Sequence, residues 1–272
     1  MNNNVLDSLL KIGITPTDEL LFEPLSEHAA NWQGFSEVEN ISEYFEAVQC
    51  YIKTVALSFA DHGVRFHSLD GVMISPFAEI GEGTLIFPNV QIRHGVKIGK
   101  NCVIGSGSVI ENSTIGNNCV INATQIYESV LDDNVKIGPF CHVRPNTHLC
   151  SGVKIGDFVE IKNSTVGCDT HASHLTYIGD SDVGERVNFG CGTVTVNYDG
   201  KNKFRTVIGN DVFIGCNSNL VAPVTIADNG YTAAGSTITD NVPENALAIA
   251  RARQVNKDGW VSKKRQKDIN KK

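Results

Sequence analysis

The chain has 272 residues, a formal net charge of −7 and 41% hydrophobic residues, enough for one or two folded domains. Charge is unevenly spread: residues 1–70 hold 11 acidic and 3 basic side chains, a balance of −8, and the remainder holds 19 and 20, a balance of +1. An acidic start and a near-neutral body argue against nucleic acid as the main partner. No apolar run reaches the ~18 residues of a membrane span, and the N-terminus has no basic start or apolar stretch of a signal peptide, so a cytoplasmic protein is expected.

The first 70 residues read as a helical cap or interaction segment. Val5, Leu6, Leu9 and Leu10 before Gly13 suggest a short helix, and Leu20, Leu21 and Phe22 before Pro24 an apolar patch. A longer helix is predicted from Asn40, because Ile41, Tyr44, Phe45, Val48, Ile52, Val55 and Phe59 follow helical spacing. Asn40 with Glu43 forms an N-cap signal, and Gly63 a stop.

From Ile74 the chain repeats every six residues, through Ile80, Ile86, Ile92, Ile98, Ile104 and Ile110. The beat returns at Leu131, Ile137, Val143, Leu149, Ile155 and Ile161, and again at Ile208, Ile214, Leu220, Ile226, Thr232 and Ile238. A period of six predicts a parallel β-helix over residues 71–245, with three hexads per triangular coil. One coil cannot bury its own core, so coils must stack. Gly often follows the aliphatic residue, as in Ile80-Gly81, Ile98-Gly99, Ile137-Gly138, Ile155-Gly156 and Ile214-Gly215, and is expected to supply the corner geometry. Five-residue steps, such as Ile110 to Ile115 and Ile161 to Val166, fit at corners. The beat fails between Thr195 and Ile208, so Asn197–Lys203 reads as an ejected loop turning at Asp199-Gly200. Residues 246–272 form a C-terminal arm with a basic tail.

Eight cysteines stand at 50, 102, 119, 141, 150, 168, 191 and 216 without a C-x-x-C pair, so zinc is not suggested and no metal is expected. Most occupy hexad positions that suit small apolar groups, which predicts buried, reduced thiols.

Polar residues accumulate after Phe140 where a solenoid core needs none. Arg144, Lys162 and Lys203 are candidates for a phosphate clamp. His174 is the candidate general base. Glu160, a little under one coil earlier, is expected to orient or polarise its imidazole. Tyr177, Asn188, Asn197, Tyr198 and Arg251 complete the set, while His142, His148 and His171 read as ordinary surface histidines.

Several collinear blocks carry a resemblance. They are Ile137-Gly-Pro-Phe-Cys-His-Val-Arg-Pro145, Asp157-Phe-Val-Glu-Ile-Lys162, Ala172-Ser-His-Leu-Thr-Tyr-Ile-Gly-Asp180 and Val187-Asn-Phe-Gly-Cys-Gly-Thr193. They continue through Asn197–Lys203, Leu220–Val224 and Ala246–Arg251. Residues from about 137 to 260 resemble the acetyltransferase domain of the bacterial bifunctional N-acetylglucosamine-1-phosphate uridyltransferase and glucosamine-1-phosphate N-acetyltransferase. The resemblance implies an all-β, left-handed parallel β-helix, a handedness that the period alone does not give. It implies acetyl transfer from acetyl-CoA to the amine of glucosamine-1-phosphate, for UDP-N-acetylglucosamine synthesis, with His174 as base. Arg144, Lys162, Tyr177 and Lys203 would hold the sugar phosphate, and Asn188 and Asn197 the sugar, with Tyr198 nearby. Acetyl-CoA would lie along Cys191, Asn197, Tyr198, Cys216 and Ala234, with Arg251 near its phosphates and a backbone N–H near Cys191 as oxyanion donor. Direct transfer is implied, with no acyl-cysteine intermediate.

The resemblance also implies a homotrimer with sites between subunits. Residues 1–63 are too short for the family's nucleotide-binding α/β domain, so uridyl transfer is not expected, and a separate uridyltransferase becomes a candidate partner. Rival readings are a hexapeptide acyltransferase on another sugar or amine, and a non-catalytic solenoid scaffold.

Overall fold

The structure, a computed structural model, is described over residues 38–269. The expected helix at Val5–Leu10 and the patch at Leu20–Phe22 lie outside the described residues. The predicted long helix is present as α1, Ile41–Ala60. The Asn40 side chain accepts from the Glu43 N–H, and the Glu43 carboxylate accepts in return from the Asn40 side-chain amide and the Glu39 N–H. This reciprocal arrangement satisfies donors that a helix start leaves free. α1 buries Tyr51, Val55 and Ala56 and packs Phe59 against the first coil, so it covers that end of the solenoid core. Burial pushes the Tyr51 hydroxyl pKa up to about 12.

The body is a parallel β-helix. Its strands pair only in parallel and form three sheets of 11, 10 and 9 strands, one on each face of the coil. On the eleven-strand face the inward ladder runs Ile86, Ile104, Ile121, Ile137, Ile155, Ala172, Phe189, Ile214 and Thr232. The hexad residues are the core: Ile86, Ile104, Ile110, Leu149, Ile161 and Ile214 are fully buried. Each inward residue removes apolar surface from water at ~25 cal/mol per Å², and only stacking of coils makes that burial complete. The ladder continues into Leu247–Ala248, which pairs with Tyr231–Thr232, so residues expected as the start of the C-terminal arm supply the last strand. The helix α2, Trp260–Ile269, has no buried residue. No helix among the described residues is long and apolar enough to cross a membrane.

Two expectations change. Of the five glycines that follow the aliphatic residue only Gly138 has positive φ (104°); other left-handed corner positions fall on different glycines, such as Gly83 and Gly107, and on asparagines such as Asn101 (φ 56°) and Asn134 (φ 63°), whose short polar side chain tolerates that conformation. Gly81 and Gly99 serve a different need: a Cβ on either would stand 2.6–2.7 Å from backbone atoms of the next coil. Nor are the cysteines mostly buried. Cys102, Cys119 and Cys141 are, whereas Cys150, Cys168 and Cys191 are half-buried and Cys50 and Cys216 exposed, all eight as free thiols.

Candidate functional site

Alternation along the ten-strand face sets which side chains point outward. Val143, Ile161 and Ile178 point into the core in one register. Their neighbours Arg144, Glu160, Lys162 and Tyr177 therefore face out on adjacent coils. The Arg144 guanidinium donates to Glu160 Oε1 at 2.7 Å. Glu160 therefore pairs through one carboxylate oxygen with Arg144. His174 ends the strand His171–His174 at the preceding corner, where its register partner is Asp157.

Gly179 stands in register with Lys162 and lets Tyr177 turn back across it: a Cβ there would lie 2.2 Å from the Tyr177 hydroxyl oxygen. That hydroxyl accepts from the Asn197 side-chain amide at 3.4 Å. Asn197 itself is buried at the root of the ejected loop. The loop is a tight hairpin: Tyr198 and Lys203 bridge antiparallel, and the Asp199 carboxylate accepts from the Lys201 and Asn202 N–H groups at 2.7 and 2.6 Å. Those two N–H groups hold the Asp199 carboxyl below the usual carboxylate range.

Asp180, to which sequence reasoning gave no role, ties this corner together. Its buried carboxylate accepts from the Asn163 and Asn197 side-chain amides. Burial alone would push its carboxyl up, but the two amides and the charges of Lys162 and Lys203 outweigh burial and hold it below the ordinary value. The anchored hairpin delivers Lys203 beside Lys162. The Lys203 ammonium, with burial and then Arg144 adding to it, depresses the Lys162 pKa. Three cations, Arg144, Lys162 and Lys203, thus converge against two carboxylates, Glu160 and Asp180. Arg205 borders the cluster, donating to the Asn163 carbonyl at 3.4 Å, and its charge is offset by Asp182.

The remaining candidates lie elsewhere. Asn188 faces outward on the eleven-strand face, in register with His171 and Phe213. Cys191, Cys216 and Ala234 climb one corner coil by coil: the Asn217 N–H donates to the Cys191 carbonyl and the Gly235 N–H to the Cys216 carbonyl, both at 2.8 Å. Arg251 closes this track, with its Cδ 3.8 Å from where a Cβ on Gly235 would be. The N–H groups flanking Cys191 are spent, Gly190 on the Ile214 carbonyl and Gly192 on the Leu175 carbonyl. Tyr198 is exposed on the hairpin.

Three stretches of the solenoid, residues 77–112, 128–163 and 205–240, match the family described as bacterial transferase hexapeptide (six repeats). These stretches make the solenoid similar to hexapeptide-repeat transferases. It is 52% identical over 204 residues to the bifunctional protein GlmU of Clostridium kluyveri, covering 75% of this chain and 45% of that protein. The GlmU of Clostridium beijerinckii is 51% identical over 219 residues, 80% of this chain and 48% of that protein. The chain thus spans about half the length of the curated relatives it matches. Among solved structures, the UDP-N-acetylglucosamine acyltransferase of Arabidopsis superposes with a TM-score of 0.56 at 18% identity, over 69% of this chain and 70% of that one, and shows the shared fold.

Proposed function

We propose that this hexapeptide-repeat chain transfers the acetyl group of acetyl-CoA to the amine of glucosamine-1-phosphate. The observation that carries the proposal is that Arg144 and Lys162 face out on adjacent coils of one sheet face, beside the hairpin of Lys203 that Asn197 anchors on Asp180. Glu160 and Asp180 offset only part of the charge of Arg144, Lys162 and Lys203, and a sugar phosphate supplies further negative charge with the acceptor oxygens these donors need. The similarity to the GlmU proteins, whose bifunctional name leaves a second activity to the length not matched here, points the same way.

In this reading Arg144, Lys162, Tyr177 and Lys203 hold the phosphate and sugar, with Glu160 positioning the Arg144 guanidinium. Asn188 and Asn197 aim the amine, and His174 takes its proton as the nitrogen attacks the thioester carbonyl. The new N–C bond forms, the C–S bond breaks, and the thiolate of coenzyme A leaves with the electron pair. The Cys191 N–H, between two spent neighbours, stabilises the oxyanion. Acetyl-CoA lies along Cys191, Cys216 and Ala234 with Asn197 and Tyr198 at its side. From His174 to Arg251 this track climbs four coils, ~19 Å at ~4.8 Å per coil.

The site is completed by a second copy. The anion cluster and the His174 track occupy different corners, and Phe140, Phe158 and Leu175 beside His174 are 61%, 58% and 59% exposed. An apolar ridge of that kind seeks a partner, and the trimer that the resemblance implies would be closed by cyclic symmetry. In this reading the protein works in the cytoplasm.

The test is thiol release from acetyl-CoA with glucosamine-1-phosphate, glucosamine and serine as acceptors, with the product identified by mass. Transfer to the phosphorylated amino sugar alone supports the proposal. Equal use of unphosphorylated glucosamine, or no turnover with any acceptor, contradicts it.

A further inference from the structure

A second constellation lies on the corner where the nine-strand face passes into the eleven-strand face, away from the two corners used above. Leu131 and Leu149 are in register on adjacent coils, so Asp132 and Cys150, each following its leucine, stand side by side. His148, on the outward side of the same strand, places Nε2 3.0 Å from Asp132 Oδ1. The Asp132 carboxylate, the His148 ring and the Cys150 sulfur offer ligand atoms all within 4.8 Å of one another, and all three residues are half-buried. Cys168 stands beside Cys150 on the following coil, also half-buried.

We propose that Asp132, His148 and Cys150 bind a Zn²⁺ ion, with Cys168 or water at the fourth position. The donor set decides the metal class. A thiolate and an imidazole with one carboxylate suit zinc, whereas magnesium and calcium take oxygen ligands. At zinc bond lengths of ~2.0–2.3 Å, neighbouring tetrahedral ligand atoms sit roughly 3.3–3.8 Å apart, so side-chain adjustments of about 1 Å close the site. Binding releases the Cys150 thiol proton to solvent.

Cobalt(II) reports on such a site directly. The full chain, reduced and stripped with chelator, is titrated with Co²⁺. One equivalent should bind, with a thiolate-to-cobalt charge-transfer band and the intense visible bands of tetrahedral cobalt, and Zn²⁺ should bleach both. Cys150→Ser should abolish the charge-transfer band, and His148→Gln should weaken cobalt binding at least about tenfold. Cys50→Ser, altering an exposed thiol of α1, should change neither. Circular dichroism shows that each variant is folded, and acetyl transfer by Cys150→Ser should stay within about twofold of wild type. A pale six-coordinate spectrum in the wild type, or a charge-transfer band that survives Cys150→Ser, would overturn the assignment.

Discussion

Asn197 donates its side-chain amide to the Asp180 carboxylate, joining the root of the ejected hairpin to the corner of the preceding coil. The hairpin interrupts the repeat, but its first residue is buried and its last, Lys203, is brought to Lys162. A loop that the period merely fails to describe thereby becomes a rigid part of the anion cluster.

Removing that tie should cost stability and binding together. Asp180→Ala leaves the amides of Asn163 and Asn197 without their acceptor, a loss of ~1–3 kcal/mol. Thermal unfolding should show the loss, and KM for the sugar phosphate should rise. Because the folded carboxyl is held below its ordinary value, the stabilisation is full above the unfolded pKa of ~3.9 and is lost as pH falls through the lower folded value. The stability gap between wild type and Asp180→Asn should therefore narrow in acid. A gap that widens there would contradict the assignment.

The lysine pair predicts an alkaline effect. Lys162 loses its proton at lower pH than an ordinary lysine because Lys203 faces it. KM for the sugar phosphate should accordingly begin to rise at lower pH than an isolated lysine dictates. In Lys203→Ala, KM is higher throughout and this rise moves to higher pH, whereas KM for acetyl-CoA changes little. Unchanged pH profiles in the variant would separate the two lysines.

Gly179→Ala tests how Tyr177 is placed. The added Cβ would meet the phenol at 2.2 Å, so the ring must swing off Asn197. The far end of a side chain can move, so the fold should survive. KM for the sugar phosphate should rise several-fold, which steady-state kinetics with each substrate varied in turn will show.

Gly156→Ala probes the candidate base through the backbone. Its Cβ would stand 2.0 Å from the Ser173 carbonyl oxygen, next to His174, and a backbone carbonyl cannot simply rotate away. Overpacking of this kind costs ~1–3 kcal/mol. The variant should unfold at lower temperature and lose kcat more than it gains KM.

Much of the fold was legible because a period of six is a long-range statement written locally: each Ile at the beat is an inward rung. The helix α1 was legible for the same reason, through Asn40 and Glu43. The role of the glycines was misjudged because close approach between coils, as at Gly81 and Gly99, leaves no mark different from a turn. Cationic character pointed to Arg144, Lys162 and Lys203, and their convergence depends on the hairpin fold. The Glu160–Arg144 pair was not legible because sequence distance counts residues, whereas register and alternation decide which side chains share a face. Asp180 lay inside a quoted block, but nothing in its spacing says that two asparagine amides 17 residues away on either side close on it. Asp132, His148 and Cys150 were invisible to any C-x-x-C search, because a solenoid assembles ligands across coils and not along the chain.

The most direct test of the central claim is kcat for acetyl transfer to glucosamine-1-phosphate in wild type and His174→Ala, measured side by side at saturating substrates. With His174 as the base, the variant should remain folded and lose roughly 10²–10⁴-fold in kcat. A folded His174→Ala chain that turns over at the wild-type rate would contradict the account.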